Sequence, residues 1–471
     1  MKRTTRVAII GAGTAGLSAV SEVRKKTDDF LLINAGPYGT TCARVACMPS
    51  KALIEVANTY HRRTVFGAMG IRGAEAVAVD VPAALRRVRE LRDGFVRGII
   101  RSTEALGEKN VRGHARFLEP TVLQVDDEIV EAESVVIATG SRPIIPDAWR
   151  ALGNRVFTSE EIFERVDLPR RVAVIGLGPV GLELAQAMAR LGTAVTGFDT
   201  GVRIGGLTDP QVSQALADTL SGELRLLLGQ PASPALVGEE VRIEVGETKV
   251  TVDEVLVAVG RRPNVQDLGL EHLGVELDDR GVPRFNPETL QVGDLPVFIA
   301  GDANGDRLIL HEASDEGRIA GYGSVRKDPE CFVRRCPLRI TFCDPNAAVA
   351  GRPWESLDPK DIVTGSVDFK DQGRARMAGE NHGILRVYAS RDTGRLLGAE
   401  MAAPGGEHLA HLLAWAVEDR ATVWDLLRRP FYHPVFEEGL RSALQDAARK
   451  LEGPSATELL LCESAPEDVL C

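Results

Sequence analysis

The sequence contains few cysteines and no long hydrophobic run. Seven of its 471 residues are cysteine, too few for the disulfide framework of a secreted protein. Each cysteine is therefore expected to be either a buried apolar residue or a redox participant. No stretch reaches the roughly 20 apolar residues that a membrane-spanning helix needs, so we expect no membrane association.

Positive charge is also scarce, since 56 lysines and arginines stand against 67 aspartates and glutamates. The formal net charge of −11 argues against nucleic acid or an anionic membrane as a partner. Basic residues at positions 1–6 lead into an apolar run at positions 7–10, which glycines interrupt at once. A signal peptide needs a longer apolar run, so we expect a cytoplasmic protein. The length indicates about three globular domains.

A glycine motif follows the first apolar run. Residues 7–10 are predicted to form a buried parallel strand, and a GxGxxG turn then precedes a helix predicted over residues 17–25. Gly11 would allow the tight turn, Gly13 the approach of a pyrophosphate, and Gly16 close packing of helix on strand. Free N–H groups at the start of the helix would hold the phosphates.

The second strand of this unit, residues 30–33, ends at Asn34. Such units place an acidic residue there, which binds a ribose. Asn34 can hydrogen-bond a hydroxyl, but without the charge assistance of a carboxylate. We therefore expect weaker binding at this ribose.

The same pattern returns later in the chain. Gly176, Gly178 and Gly181 follow a predicted strand at residues 171–175, and the next strand ends at Asp199. In both copies the ribose position comes 18 positions after the last glycine, so the repeat predicts two dinucleotide sites. Asp199 can accept both ribose hydroxyls but would repel a 2′-phosphate, and no paired arginines follow it. NAD is therefore favoured over NADP.

Cys42 and Cys47 lie five positions apart, just after the first unit. In a regular helix such residues are separated by ~7.5 Å along the axis and ~140° around it. A disulfide tolerates Cα separations of only about 4.4–6.8 Å, so a bond between them requires a distorted first turn and would be easily reduced. The spacing favours a working disulfide, and two buried thiols are the alternative. No other Cys or His lies within metal-ligand spacing.

The sequence predicts two further buried strands. Residues 135–138 form one, which ends in a glycine turn at Thr139 and Gly140. Residues 297–300 form the other, which places the carboxylate of Asp302 after its carboxyl end, where ligands bind in such sheets. From residue 338 the pattern becomes α+β, and His433 with Pro434 precedes a last helix that contains Glu438. This module has strands predicted over residues 338–342, 362–367, 384–388 and 396–401, and helices over residues 407–420, 423–427 and 437–450.

In this order the motifs resemble the pyridine nucleotide-disulfide oxidoreductase family over about residues 5–450, and within it most closely the dihydrolipoyl dehydrogenases. The resemblance is carried by both glycine motifs, residues 42–51, Thr139-Gly140, Glu183, residues 300–302, and His433-Pro434 with Glu438. It implies an α/β fold with two Rossmann-like dinucleotide-binding domains and a C-terminal α+β dimerisation domain. The expected division is 1–150 (FAD-binding, with the redox disulfide), 151–270 (NAD-binding), 271–337 (FAD-binding or central return), 338–451 (dimerisation) and 452–471 (tail).

The resemblance also implies FAD in the first site and NAD in the second, with no metal. By motif position, the residues expected at FAD are Gly11, Gly13, Thr14, Ala15, Gly16, Asn34, Thr41, Lys51, His114, Ala115, Thr139, Gly140, Ser141, Asp302 and Leu310. Those expected at NAD are Gly176, Gly178, Pro179, Val180, Gly181, Asp199, Val259, Gly260 and Arg261.

The catalytic roles follow from the same resemblance. Cys42 would be the interchange thiol that meets the substrate, and Cys47 the charge-transfer thiolate against the flavin. Lys51 would lie beside flavin N5, paired with Glu183.

His433 would be the general base for the incoming thiol, oriented by Glu438. The resemblance implies that this histidine reaches the disulfide of the other subunit, so the active site would need a homodimer.

The implied substrate is a lipoyl dithiol, carried by lipoamide or by a lipoyl-carrier protein of a 2-oxoacid dehydrogenase or a related lipoyl-dependent complex. Two alternatives stay open. One is a mercuric reductase-like reduction of a metal ion or another disulfide with NAD(P)H, suggested by Cys462 and Cys471 in the tail. The other is a flavoprotein docking subunit of a lipoyl-dependent complex.

Several residues depart from the family's pattern, although the chemistry-bearing side chains are kept. Besides Asn34 they are Ala46, Pro179, Val435 and Glu437. Cys331 and Cys336 repeat the five-residue spacing without a preceding glycine turn or a following Pro-Ser-Lys. We therefore interpret them as structural or incidental thiols.

Overall fold

The N-terminal part of the chain is built on a sheet that begins with the first predicted strand. The computed structural model describes residues 2–452 and residue 459. The first elements are β1 (Lys2–Ile10), α1 (Thr14–Val23), β2 (Phe30–Asn34), α2 (Thr41–Val45), α3 (Cys47–His61), α4 (Val81–Glu104), β3 (Asn110–Arg112), β4 (Ala115–Glu119), β5 (Val122–Val125), β6 (Glu128–Ile137) and β7 (Ser141–Pro143).

A second set of strands and helices follows and repeats the opening pattern. Its elements are β8 (Val156–Thr158), β9 (Arg171–Ile175), α5 (Pro179–Arg190), β10 (Ala194–Asp199), α6 (Pro210–Leu220), β11 (Arg225–Leu228), β12 (Ser233–Val237), β13 (Glu240–Val245), β14 (Thr248–Val252), β15 (Glu254–Val257) and β16 (Arg261–Pro263). The chain continues through β17 (Val297–Ile299) and α7 (Leu310–Gly323).

The first sheet has the order β3-β2-β1-β6-β5-β4, and β17 also pairs with β6. Strands β3, β2, β1, β6 and β17 run parallel, whereas β5 is antiparallel to both β4 and β6. Because β17 comes after the whole second set, the chain leaves this sheet and returns to it. Val7 and Ile9 on one face and Ala8 on the other are all fully buried, as expected for a strand with both faces covered.

The second sheet has the parallel order β11-β10-β9-β15-β8. Strands β12, β13 and β14 form a separate antiparallel sheet beside it. A two-stranded ribbon of β7 and β16 joins the ends of the two parallel sheets. The carboxyl edges of both sheets, where ligands bind in such folds, are thereby tied together.

The C-terminal module packs helices on an antiparallel sheet. It consists of β18 (Leu338–Thr341), β19 (Asn346–Gly351), β20 (Ile362–Asp368), α8 (Gly373–Ala378), β21 (Ile384–Ser390), β22 (Leu396–Ala403), α9 (Gly406–Glu418), α10 (Val423–Leu427) and α11 (Glu437–Lys450). The sheet has the order β18-β19-β22-β21-β20. Apolar residues of β19, β21, β22, α9 and α11 form the core of the module.

A buried polar network fixes this module to the second parallel sheet. The Glu400 carboxylate of β22 accepts hydrogen bonds from the backbone N–H groups of Thr208 at 2.7 Å and Asp209 at 2.9 Å. Asp209, itself fully buried, accepts from Arg386 at 2.7 Å and from the Tyr388 hydroxyl at 2.8 Å. Buried charges of this kind need such partners, so the loop after β10 is held by the C-terminal module.

The structure corrects several details of the expected elements. Helix α1 begins at Thr14, not at Leu17, because Gly13 is already its N-cap. Residues 135–138, expected as a strand of their own, form the end of the longer strand β6 as far as Ile137. The expectation also lacked helices α6 and α8 and the strands β3, β8, β11, β12, β13, β14 and β19.

No helix within residues 2–452 and 459 is long and apolar enough to cross a membrane. The α/β fold is confirmed. The domain boundaries given above stay a prediction, and the expected tail after residue 452 lies outside the described residues apart from residue 459.

Candidate active site

The first glycine of each motif makes the same tight turn. Gly11 has a φ of +110° and Gly176 a φ of +94°. A Cβ added at Gly11 would lie 2.3 Å from the Ala138 carbonyl oxygen, and one at Gly176 would lie 2.4 Å from that of Ala258. Both turns therefore pass too close to the neighbouring strand for any side chain.

The second glycine of each motif borders open space at the start of the following helix. A Cβ built on Gly13 or on Gly178 would meet no atom of the described residues within 4 Å. Helices α1 and α5 begin at the next residues, Thr14 and Pro179, and a glycine N-cap carries no side chain to bind their first N–H groups. Such a helix start can bind an anion, so each turn has room and donors for a pyrophosphate.

The ribose positions are fixed in the same way in both copies. Asn34 Oδ1 accepts a hydrogen bond from the Ala12 N–H at 3.2 Å. Asp199 Oδ2 accepts one from the Leu177 N–H at 2.7 Å. The shorter distance at Asp199 agrees with a charge-assisted bond. Both side chains are thereby held beside their glycine turns.

Other residues expected at FAD come from several elements around the first turn. The Gly113 N–H donates to the Asn34 carbonyl oxygen at 3.2 Å, which brings His114 and Ala115 beside the ribose position. Two more expected residues begin helices: Thr41 begins α2 and Leu310 begins α7.

Thr139 follows β6 at the carboxyl edge of the first sheet. Its hydroxyl is buried and has no hydrogen-bond partner among the described residues. Leaving a buried hydroxyl unpaired costs about 1–3 kcal/mol. The open turn, the Asn34 side chain and this unpaired hydroxyl therefore fit a dinucleotide such as FAD.

Asp302 and Arg261 meet at Ser141. The Ser141 hydroxyl donates to Asp302 Oδ2 at 2.6 Å, and Arg261 Nε donates to the same hydroxyl at 2.8 Å. Arg261 also pairs with Glu160 at 2.8 Å. The structure thus brings Arg261, expected at NAD, to two residues expected at FAD, because β16 pairs with β7. Its role at NAD stays a prediction.

The two cysteines lie on either side of a break between helices. Helix α2 ends at Val45 and α3 begins at Cys47, and Ala46 between them has the non-helical angles φ −133° and ψ −105°. This break is the distortion that the five-residue spacing required. Cys42 and Cys47 are both half-buried free thiols here and are hydrogen-bonded to each other.

The surroundings shift the pKa values of the two thiols in opposite directions. The hydrogen bond from Cys42 lowers the pKa of Cys47 to about 7, and the positive charge of Lys51 contributes to this shift. The same hydrogen bond, with burial, raises the pKa of Cys42 well above its ordinary value. The start of α3 also favours a thiolate at Cys47. The reduced pair therefore carries its negative charge on Cys47.

Lys51 lies one turn after Cys47 and forms an ion pair that connects helix α3 to helix α5. Its Nζ lies 2.9 Å and 2.8 Å from the two carboxylate oxygens of Glu183, which is buried in α5. Glu183 also accepts from the Phe342 N–H at 2.9 Å, and Lys51 Nζ lies 4.5 Å from the centre of the Phe342 ring. Sequence reasoning missed Phe342, whose only sequence signal was its place at the end of a predicted strand.

Cys42 opens on a cavity of about 510 Å³. Most of the lining is apolar or carries hydroxyl groups, and the one charged residue in it is Arg318. The lining residues are Thr14, Leu17, Ser18, Ser21, Thr40, Cys42, Ala43, Met48, Phe95, Ile99, Leu310 and Arg318. A small disulfide or dithiol with an aliphatic arm could therefore reach Cys42.

His433 and Glu438 form a separate pair on the surface of the same chain. His433 Nδ1 lies 2.9 Å from Glu438 Oε1, and 78% of the histidine side chain is exposed. Because a carboxylate only accepts hydrogen bonds, Nδ1 carries the proton and Nε2 is left as a base. The hydrogen bond holds the pKa of Glu438 below its usual range. His433 is not among the residues that line the cavity at Cys42.

The other three described cysteines, Cys331, Cys336 and Cys343, are also free thiols. Hydrogen bonding to Glu288 raises the pKa of the exposed Cys331, and burial raises the pKa values of Cys336 and Cys343. Cys462 and Cys471 lie outside the described residues.

The arrangement of two dinucleotide turns around a cysteine pair defines a class of electron-transferring oxidoreductases. Residues 5–317 match the pyridine nucleotide-disulphide oxidoreductase family, and residues 338–444 match its dimerisation domain. The chain belongs to the pyridine nucleotide-disulphide oxidoreductase family. Its cofactors are FAD and NAD, and the dimerisation domain supports a homodimer.

Individual relatives have several activities. The chain is 31% identical to a dihydrolipoyl dehydrogenase of Thermus scotoductus over 94% of this chain and 97% of the relative. It is 28% identical to a mercuric reductase of Staphylococcus aureus over 92% and 81% of the two chains. The HOCl-induced flavoprotein disulfide reductase RclA from Escherichia coli has the same fold, with a TM-score of 0.82 at 20% identity, over 94% of this chain and 99% of its own. The chain is thus an FAD-dependent disulfide oxidoreductase.

Replacing Lys51 tests the electrostatics of the pair. We expect Lys51→Met to raise the pKa of Cys47 by about one unit or more, since the cation that favours the thiolate is lost. The measurement is the ultraviolet thiolate absorbance of the reduced apoprotein against pH, taken as the difference from Cys47→Ser. Lys25→Met, which removes an exposed lysine paired with Glu22, is the control. An unchanged Cys47 pKa in Lys51→Met would show that Lys51 does not act on the thiol.

Proposed function

We propose that the chain is a dihydrolipoyl dehydrogenase-type enzyme, which passes electrons between a lipoyl dithiol, the Cys42–Cys47 disulfide, FAD and NAD. The observation that carries the proposal is the polarised cysteine pair, with Cys47 at a helix start beside Lys51 and Cys42 on a cavity. The dihydrolipoyl dehydrogenase relative of similar length supports the lipoyl substrate.

The thiol exchange can be followed atom by atom. The first substrate thiolate attacks Cys42 of the oxidised pair, which forms a substrate–Cys42 bond and releases Cys47 as a thiolate. The second substrate thiolate attacks the substrate sulfur of that bond, closes the substrate disulfide and frees Cys42. Two electrons then reside on the pair as two reduced sulfurs, and the surroundings favour the charge on Cys47 and the proton on Cys42.

His433 of the other subunit would act as the general base that removes the proton from the substrate thiol. Glu438 fixes the tautomer that leaves Nε2 as the base. Because only the thiolate is a nucleophile, this base would set the rate of the first attack.

The cofactors would lie on the two glycine turns. FAD, when bound, would supply the two-electron redox chemistry that links the cysteine pair to NAD. Gly13, Asn34 and Thr139 would hold FAD, and Gly178 with Asp199 would hold NAD. The ion pair of Lys51 and Glu183 lies beside Cys47 and in the first turns of the helix after the second glycine turn. It would therefore orient both cofactors, FAD and NAD.

A substrate panel tests the proposed activity. We expect the purified holoenzyme to form NADH from NAD⁺ and dihydrolipoamide, and Cys42→Ser to lose that activity by a factor of about 10³ or more. The panel contains lipoamide, glutathione disulfide and mercuric ion, each with NADH and with NADPH. Cys336→Ser is the control, since that thiol is apart from the pair.

The outcomes separate the candidates. Turnover of mercuric ion in place of lipoamide would replace the proposal by the metal-ion reductase that the Staphylococcus relative suggests. Lack of turnover with every disulfide, with full Cys42→Ser function in cells, would favour a docking subunit.

Subunit mixing tests whether His433 acts across the dimer. Cys42→Ser and His433→Gln homodimers should both be inactive. A heterodimer of the two variants has one site with both residues intact if the histidine comes from the other subunit, and none if it comes from the same chain. We therefore expect activity to return when the two variants are co-expressed and tandem-purified, measured as NADH formation per dimer. Inactive heterodimers would contradict the assignment.

A further inference from the structure

The two ribose positions differ in what faces the side chain from the following loop. Asn34 Nδ2 donates a hydrogen bond to the Gly36 carbonyl oxygen at 2.7 Å. At the equivalent place in the second copy, Asp199 Oδ1 accepts a hydrogen bond from the Gly201 N–H at 2.8 Å. The loop thus presents an acceptor to Asn34 and a donor to Asp199.

Asn34 therefore lies between a donor and an acceptor. The Ala12 N–H donates to its oxygen and the Gly36 carbonyl accepts from its nitrogen. An amide satisfies both partners, whereas an ionised carboxylate can satisfy the N–H alone. Both partners of Asp199 are N–H groups, which suit a carboxylate.

The loop cannot easily change to suit a carboxylate. Pro37 follows Gly36 in the loop. A proline has no backbone N–H to donate to a carboxylate, and it restricts the backbone conformations of the preceding residue, Gly36. An aspartate at position 34 would place a carboxylate oxygen against the Gly36 carbonyl oxygen. That contact replaces a hydrogen bond by a repulsion.

We propose that the ribose subsite of the first dinucleotide site is built for a neutral amide, and that Asn34 is a cofactor-positioning residue whose replacement by aspartate weakens FAD binding. Asn34 keeps one N–H and one lone pair free of the two backbone contacts, so it can offer the ribose diol a donor and an acceptor. Asp199 can offer acceptors only. The inference rests on the assignment of FAD to the first turn in the proposed function, and it does not depend on the lipoyl substrate.

The test is FAD binding to the apoprotein, measured by quenching of flavin fluorescence. We expect Asn34→Asp to raise the Kd for FAD about tenfold or more, because a hydrogen bond is lost and two oxygens face each other. Asn34→Ala, which removes both contacts without adding a charge, should bind FAD no more weakly than Asn34→Asp. The matched variant Asp199→Asn should weaken ADP-ribose binding and leave the Kd for FAD unchanged.

Each outcome bears on a different claim. If Asn34→Asp binds FAD more tightly than Asn34→Ala does, the inference is overturned while the site assignment stands. If neither Asn34 variant changes the Kd for FAD, FAD does not bind at the first turn, and both the inference and that part of the proposed function fail. ADP-ribose binding to the second site of each Asn34 variant shows that the variant is folded, so weak FAD binding with normal ADP-ribose binding supports the inference.

Discussion

The ion pair between Lys51 and Glu183 is the contact on which the arrangement of the site depends. Lys51 lies one turn after Cys47 in α3, and Glu183 lies in the first turns of the helix after the second glycine motif. The third partner, the Phe342 N–H, comes from the loop after the first strand of the C-terminal module. One buried carboxylate therefore connects helix α3, helix α5 and the start of the loop after β18. The cation that neutralises it is also the one that favours the Cys47 thiolate.

The duplicated dinucleotide turn supplies the frame for this contact. Both copies exclude a side chain at the first glycine, leave space at the second, and bind the ribose residue to the backbone of the turn. They differ at the loop that follows the ribose residue, where Gly36 turns its carbonyl and Gly201 its N–H toward the side chain. The copies are thus equal where the backbone must turn and distinct at the proposed ribose positions.

Much of this frame could be predicted from the sequence because it depends on local rules. Glycine spacing identified both turns, and the helices expected over residues 423–427 and 437–450 have the bounds of α10 and α11. Strand β19 was missed because its residues, Asn346–Gly351, are mostly small and carry little of the β-branched signal. The hydrogen bond from the Phe342 N–H to Glu183 joins residues far apart in the sequence, and the orientation of the Gly36 carbonyl is a property of the folded loop. No local pattern predicts either.

Reducing power from the nucleotide is expected to reach Cys42 and Cys47 and no other described cysteine. The direct measurement is differential alkylation of the oxidised holoenzyme before and after anaerobic NADH, followed by peptide mapping. We expect NADH to make Cys42 and Cys47 newly reactive, while the labelling of Cys331, Cys336 and Cys343 stays the same. New labelling at Cys331 or Cys336, or none at Cys42 and Cys47, would contradict this expectation.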